Sequence, residues 1–221
     1  MKVCTDSCLF GAWIAAEIEQ KKINAETILD IGTGTGLLSL MLAQKTNACI
    51  DAVEIDKNSF HQAIDNIAAS PWHERIKLFH SNIKNFNPGF KYDLIISNPP
   101  FYENDLPTQD EGKNISKHSA ALSLEELIII SKNLLSEDGT LAVLLPWHRT
   151  KSFENIASKY SLFIKEKVKV KQTTSHNYFR TMLILKKTKS ETIETELTIK
   201  NSENEYSDEF KSLLKDYYLY L

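Results

Sequence analysis

Cysteine is scarce in this chain: Cys4, Cys8 and Cys49 are its whole complement, an odd number with no Cys-x-x-Cys pair. That argues against a disulfide framework and against a thiolate zinc site. The six histidines (His61, His73, His80, His118, His148 and His176) never fall at ligand spacing, so no metal is expected. Long apolar runs are missing too. Stretches such as Leu141-Ala142-Val143-Leu144-Leu145 are strand-sized, whereas a membrane span needs about 20 apolar residues; no membrane contact is expected. The first residues show no charged start followed by an apolar core and a small-residue cleavage site, so no secretory leader is expected. There is no internal repeat and no low-complexity tract. These absences lead to the expectation of a cytoplasmic protein, and nothing calls for more than a monomer.

What remains is ordinary globular material. The chain has 221 residues and a mass of 25.2 kDa, with 42% hydrophobic and 25% charged residues. That suits one domain with a sizeable core. The net charge is only −3, but it is unevenly spread. Residues 1–144 carry 12 Lys+Arg against 19 Asp+Glu, residues 145–189 carry 11 against 2, and residues 190–221 carry 3 against 8. A basic segment between two acidic ones hints at nucleic-acid contact, and equally suits a lysine-rich solvated face.

Apolar periodicity predicts helices over Leu9–Ile23, Leu37–Gln44, Ser59–Ala69, Leu124–Leu135, Ser152–Tyr160 and Asp208–Tyr218. Ser123, with Glu126 three residues on, is a capping-box start. Strands are predicted at Thr27–Ile31, Cys49–Ile55, Arg75–Phe79, Tyr92–Ser97, Gly139–Leu145, Leu162–Val170 and Phe179–Lys186, with Thr192–Lys200 as a further candidate. Residues 101–119 form a long polar loop, and loops of that length are usually functional. Alternating strands and helices imply an α/β fold: a Rossmann-like, seven-stranded, mostly parallel sheet with helices on both faces and a C-terminal antiparallel hairpin. Residues 1–189 are expected to form the domain, with residues 190–221 a charged appendage packed on it or extending from it.

Asp30-Ile31-Gly32-Thr33-Gly34-Thr35-Gly36 lies between the first predicted strand and the next helix. Glycines there let the backbone turn tightly and approach a ligand beyond the carboxyl end of the sheet. The dinucleotide fingerprint requires a further glycine where Leu37 stands, which weakens a nicotinamide or flavin reading. Asp30 would repel a pyrophosphate and suits a cationic group such as a free α-amine. Glu54 ends the second strand, 22 residues after Gly32, where a carboxylate can accept both hydroxyls of a ribose. A glycine loop with an acid, lacking the pyrophosphate signature, fits S-adenosylmethionine. The bland alternative is a tight loop near an unrelated surface acid.

Asn98-Pro99-Pro100-Phe101 follows the fourth strand. Two prolines stiffen the backbone and remove two N–H donors, leaving carbonyl and amide oxygens as acceptors. A planar amine conjugated to a π-system needs such acceptors, because its lone pair is delocalised. The Asn98 side chain and the Pro99 carbonyl would hold its two hydrogens. Phe101 offers a face for a flipped base, worth about 1–3 kcal/mol. A simple proline turn ending a strand is the competing reading.

The tetrapeptide resembles that of class I S-adenosylmethionine-dependent methyltransferases of the amino-methylating kind. The opening Met1-Lys2-Val3-Cys4-Thr5-Asp6-Ser7-Cys8-Leu9-Phe10-Gly11-Ala12-Trp13 is similar to that of the valine tRNA (adenine 37, N6) methyltransferase family. Lys117-His118 and Phe179-Arg180-Thr181-Met182 also look like family positions. The family usually has glycine where Cys4 and Ser7 stand, arginine where Lys117 stands, and a further stretch ahead of this methionine. The resemblance covers nearly the whole chain. It implies S-adenosylmethionine as cofactor and tRNA as partner. It places Lys2 and Thr5 near the cofactor's methionine end, and Asp30 with Gly32, Thr33, Gly34 and Gly36 at its amino acid portion. Glu54 would lie at the ribose with Ile55 also at the cofactor, Asn82 at the adenine amine, and Asn98 beside both cofactor and substrate. Asn98, Pro99, Pro100 and Phe101 would hold the substrate base.

Lys165, Lys167, Lys169 and Lys171 alternate along one strand, which puts them on one face. With Lys117, His118, Arg149 and Arg180 they are candidate RNA contacts, since phosphate binding calls on Lys and Arg. The alternative is an edge strand protected from aggregation by lysines. At the level of function, the same chemistry on ribosomal RNA guanine N2, DNA adenine or a protein glutamine stays open. So does an inactive RNA-binding module that keeps the fold.

Overall fold

The computed structural model of the protein describes residues 4–99 and 122–221; the polar loop expected at 101–119 falls outside them. Helix α1 (Thr5–Glu19) precedes strand β1 (Thr27–Ile31), α2 (Leu37–Lys45), β2 (Cys49–Glu54), α3 (Lys57–Ala68), β3 (Ile76–His80) and β4 (Tyr92–Ser97). Then follow α4 (Leu124–Leu134), β5 (Leu135–Pro146), α5 (Thr150–Lys159), β6 (Phe163–Thr173), β7 (Tyr178–Lys186), β8 (Ile193–Lys200) and α6 (Asp208–Leu214). The sheet has eight strands in the order β3-β2-β1-β4-β5-β7-β6-β8. Only β7 runs against the rest.

The expected count of seven is therefore corrected to eight. The added strand is the candidate at 192–200, which pairs parallel to β6 from Glu166↔Ile193 to Thr173↔Lys200. Its first half, Ile193 to Glu196, is solvent-exposed on both faces, so it lacks the buried alternation that marks a half-covered strand.

The central strands β1, β4, β5 and β7 bury both faces, and successive residues serve opposite cores. Ile28, Leu94, Ala142 and Ile184 point to one apolar cluster with residues of α1, α2, α3 and α6. Leu29, Ile95, Val143 and Leu185 point to the other, with residues of α4 and α5. Helix starts follow local chemistry. Asp56 Oδ1 accepts from Ser59 N at 2.8 Å, which begins α3 ahead of the apolar periodicity. The Ser123–Glu126 capping box is present in full, with bonds of 3.1 and 2.9 Å. α1 starts at Thr5, earlier than the expected Leu9, because the polar Thr5-Asp6-Ser7 turn carries no apolar stripe. β5 starts early as well: Leu135 pairs with Tyr92 across an irregularity. Gly139 sits there because an added Cβ would lie 2.9 Å from the Tyr92 carbonyl.

Asp93 fastens the amino edge of the sheet. Its Oδ2 accepts from Thr27 N and Thr27 Oγ1, both at 3.0 Å, and its Oδ1 accepts from Ser136 Oγ at 3.3 Å. This leaves the carboxyl ends of β1, β2 and β4 on the opposite edge. The chain reverses its direction of travel through the sheet between β1 and β4, the place where open α/β sheets bind ligands.

Residues 190–221 supply more than charge. Leu197, Ile199, Phe210 and Leu214 are buried in the same cluster as Phe10 and Trp13 of α1. Lys45 Nζ meets Asp216 at 2.6 Å and Tyr217 Oη donates to the Met41 carbonyl at 3.2 Å. Each such apolar side chain is worth roughly 1.5–3 kcal/mol. The four together therefore approach the whole stability of a domain, about 5–15 kcal/mol. A chain ending at residue 189 is expected to lose cooperative thermal unfolding. A sharp transition in calorimetry at an unchanged midpoint would show the segment to be dispensable.

Candidate active site

Asp30, fully buried, is the penultimate residue of β1, and the chain then turns through three glycines with left-handed φ: Gly32 at 71°, Gly34 at 60° and Gly36 at 85°. Other residues are strained at such angles. Gly32 N and Thr33 N both donate to the Val53 carbonyl, at 2.9 and 3.2 Å, which fastens the loop to the end of β2. Asp30 Oδ2 accepts from Thr33 Oγ1 at 2.6 Å and from Ser39 Oγ at 2.7 Å. Its Oδ1 is buried with no hydrogen-bond partner among the described residues. Burial raises the Asp30 carboxyl to about 6; the two hydroxyl bonds oppose the rise and the Glu54 charge adds to it. Above that pH the protein holds a buried anion that lacks a donor on one side, and such a group calls for a cation.

Glu54, 7% exposed, closes the loop from the other side. Its Oε2 accepts from Gly34 N and its Oε1 from Asp56 N, both at 2.7 Å. Each oxygen keeps a second lone pair, so the carboxylate serves the loop and can still accept from a ligand. Ile55 follows it, 47% exposed, an apolar surface at the mouth of the loop. Asn82 lies just past β3, where its Oδ1 caps the following turn by accepting from Lys84 N at 3.0 Å.

β4 brings the fourth part. Ser97 pairs with Ile31 in register and its Oγ donates to the Ile31 carbonyl at 2.9 Å, which ties the two strand ends together. Asn98 and the buried Pro99 come next, so they stand immediately beside the glycine loop. Asn98 Nδ2 donates to Ser7 Oγ at 2.8 Å. The first turn of α1, with Thr5, therefore reaches the same edge. Lys2, Pro100, Phe101, Lys117 and His118 lie outside the described residues.

The candidate RNA contacts divide. Arg149 ends a short turn after β5, at the carboxyl edge. Arg180 is at that edge too, paired in register with Pro146, but its Nε donates to Asp6 Oδ2 at 2.7 Å. Three of the four lysines of β6 face acid. Lys165 Nζ donates to Ser190 Oγ at 2.8 Å. Lys167 meets Glu154 at 3.1 Å and Glu194 at 2.8 Å, and Lys169 meets Glu194 at 3.0 Å and Glu196 at 2.8 Å. Lys171 stands 3.7 Å from Glu196, which also accepts from Tyr178 Oη. These donors, Lys169 first, hold the Glu196 carboxyl down at about 2. The acidic tail thus answers the basic strand within the molecule.

Sequence reasoning passed over Asp6, Ser7, Ser39 and Ser97. A serine in the first turn after a glycine loop was the one available signal, for Ser39; the others become visible only when α1, β4 and β7 meet. Among the described residues no three His, Cys, Asp or Glu gather as a metal site, and no helix is long and apolar enough to cross a membrane.

Residues 11–172 match the family model of the methyltransferase small domain. The chain is 40% identical over its whole length to a tRNA1(Val) (adenine(37)-N6)-methyltransferase of Christiangramia forsetii, covering 92% of that protein. It is also 40% identical, over 99% of its length and 93% of the relative, to the protein of the same name in Flavobacterium johnsoniae. Among solved structures, a predicted O-methyltransferase of Agrobacterium tumefaciens superposes with a TM-score of 0.70 over 94% of each chain at 13% identity, a likeness of fold. A glycine loop, a strand-end acid and the Asn98-Pro99 step on one sheet edge, together with this kinship over the full chain, show that the protein belongs to the methyltransferase small domain family, among the tRNA1(Val) (adenine(37)-N6)-methyltransferases.

Proposed function

We propose that the protein transfers a methyl group from S-adenosylmethionine to the exocyclic N6 amine of a tRNA adenine, adenine 37 of a valine tRNA. The observation that carries this reading is the placement of Asn98 and Pro99 directly beside the Asp30 loop, so that an amine-holding group and a cofactor cradle share one edge. The relatives' name supports the substrate. The cradle fits the cofactor: the unpartnered Asp30 Oδ1 suits a cationic α-amine, and an added Cβ on Gly32 would meet nothing within 4 Å, which leaves room in front of the loop. When bound, S-adenosylmethionine supplies an electrophilic methyl group.

On this reading Asp30 and the Gly32–Gly36 loop bind the amino acid portion, with Thr33 shaping the Asp30 carboxylate. Glu54 accepts from the ribose hydroxyls, Ile55 lies against the apolar part of the nucleoside, and Asn82 lies toward the adenine. The Asn98 amide oxygen and the Pro99 carbonyl accept the two hydrogens of the substrate amine. They hold its nitrogen in a more tetrahedral shape, so that its lone pair becomes available. Catalysis then comes from positioning and from oriented acceptors. Residues 1–189 carry this chemistry and residues 190–221 complete the same domain. A tRNA substrate fits an activity in the cytoplasm. The acidic partners of Lys167, Lys169 and Lys171 support a structural role for β6.

The test is mass analysis of nucleosides from bulk tRNA after incubation with the protein and labelled S-adenosylmethionine. N6-methyladenosine in the tRNA digest is the expected product. Label confined to ribosomal RNA, DNA or protein, or cofactor binding with no product in any pool, overturns the reading. For Glu54→Ala a fall in cofactor affinity is expected, because charge-assisted hydrogen bonds are worth roughly 1.5–3 kcal/mol each. Part of that fall comes from the loop, which loses its Gly34 N contact. Unchanged affinity by calorimetry in the folded variant would remove Glu54 from the site.

A further inference from the structure

Ser7 takes no part in the chemistry described above, yet it holds the residue at its centre. Its Oγ accepts a 2.8 Å hydrogen bond from Asn98 Nδ2, joining the first turn of α1 to the end of β4 across 91 residues of sequence. An asparagine head is planar, with an acceptor at one end and two donors at the other. Turned one way it meets an amine's hydrogens with an oxygen. Turned the other way it meets them with hydrogens of its own and holds nothing. With Nδ2 committed to Ser7, Oδ1 is left on the opposite side of the head as the acceptor.

Ser7 is itself fixed. Its backbone N donates to Asp6 Oδ1 at 2.9 Å, and Asp6 Oδ2 accepts from Arg180 Nε at 2.7 Å. The Asp6 side chain is only 14% exposed and that of Arg180 31%, so this pair is partly shielded from water. Arg180 Nη1 in turn donates to the Phe179 carbonyl at 3.3 Å. A continuous chain of bonds therefore runs from β7 through Asp6 and Ser7 to Asn98, and sets the serine by the sheet itself rather than by helix fraying.

We propose that Ser7 is a positioning residue that anchors the head of Asn98 at its amide nitrogen, with the amide oxygen on the side left for the substrate amine. This rests on the assignment of Asn98 to the amine, so the experiment tests the two separately. Single-turnover methylation of bulk tRNA is measured for Ser7→Ala, Ser7→Thr, Asn98→Ala and the Ser7→Ala/Asn98→Ala double variant, with S-adenosylmethionine affinity by calorimetry alongside. Losing one hydrogen bond that only orients a neighbour corresponds to an about 3–10-fold fall in rate. Ser7→Ala is expected to show that fall with cofactor affinity and KM for tRNA unchanged. Ser7→Thr, which keeps the hydroxyl, is expected to restore the rate, and Ser7→Ala is expected to add nothing in the Asn98→Ala background. A wild-type rate in Ser7→Ala overturns the inference. So does a fall matched by lost cofactor affinity, or one that threonine does not restore. A wild-type rate in Asn98→Ala overturns the reading of Asn98 itself and the inference with it.

Discussion

Asn98→Ala is expected to reduce methyl transfer by about 10²–10³-fold, the usual cost of removing one oriented hydrogen-bonding group from a reacting centre, with S-adenosylmethionine still bound. The reason lies in where the residue stands. Asn98 follows Ser97, whose own bond to the Ile31 carbonyl keeps the strand end in place whatever the next side chain is. The cradle at Asp30 and Glu54 is held by the loop's own amides and hydroxyls, and by none from Asn98. The loss should therefore fall on the chemical step and leave the cofactor constant near wild type. Single-turnover rates with saturating cofactor measure the first quantity and calorimetry the second. A rate near wild type would take Asn98 out of the reaction. Equal losses in rate and cofactor affinity would make it a cradle residue instead.

Asp30→Asn is expected to stabilise the protein without ligand and to weaken cofactor binding, two effects of opposite sign from one charge. Burial lifts the Asp30 carboxyl from 3.8 to about 6. The folded state therefore binds this proton more tightly than the unfolded chain does. The stability linked to it is fully present below pH 4, declines as pH rises toward 6, and is gone above that. At about 1.4 kcal/mol for each pH unit between the two states, the linked stability is roughly 3 kcal/mol. Asparagine cannot ionise, and its oxygen can still accept from Thr33 and Ser39. The variant should thus exceed the wild type in urea unfolding at pH 8 and match it near pH 4. Its affinity for S-adenosylmethionine should fall about 10–100-fold, since a charge-assisted bond to the α-amine is lost. A stability difference that does not change between pH 4 and pH 8 would show that Asp30 is not a buried anion. Retained affinity would show that its charge does not face the cofactor.

Much of this was determined by the sequence alone. The alternation of apolar runs with amphipathic stretches specified a parallel sheet with covered faces, because a strand buried on both sides has to be apolar throughout. The capping box at Ser123 and Glu126 marked a helix start through local hydrogen bonding, which needs no tertiary partner. The glycines at 32, 34 and 36, the acid at 54 and the Asn98-Pro99 step were legible because each ends or follows a strand, and parallel strands place such positions on one edge.

Only the tertiary structure decided the rest. The eighth strand escaped the apolar pattern because its first half is exposed, and what holds that half is backbone pairing and ion pairs to β6. The charge of the lysine strand was plain, but its partner was not: opposite charges dozens of residues apart cancel only when the chain folds them side by side. The contact between Ser7 and Asn98 spans 91 residues and has no periodicity or motif to announce it. Short-range chemistry is written in neighbouring residues, whereas the orientation of one amide is set by which distant helix turn the fold brings against it.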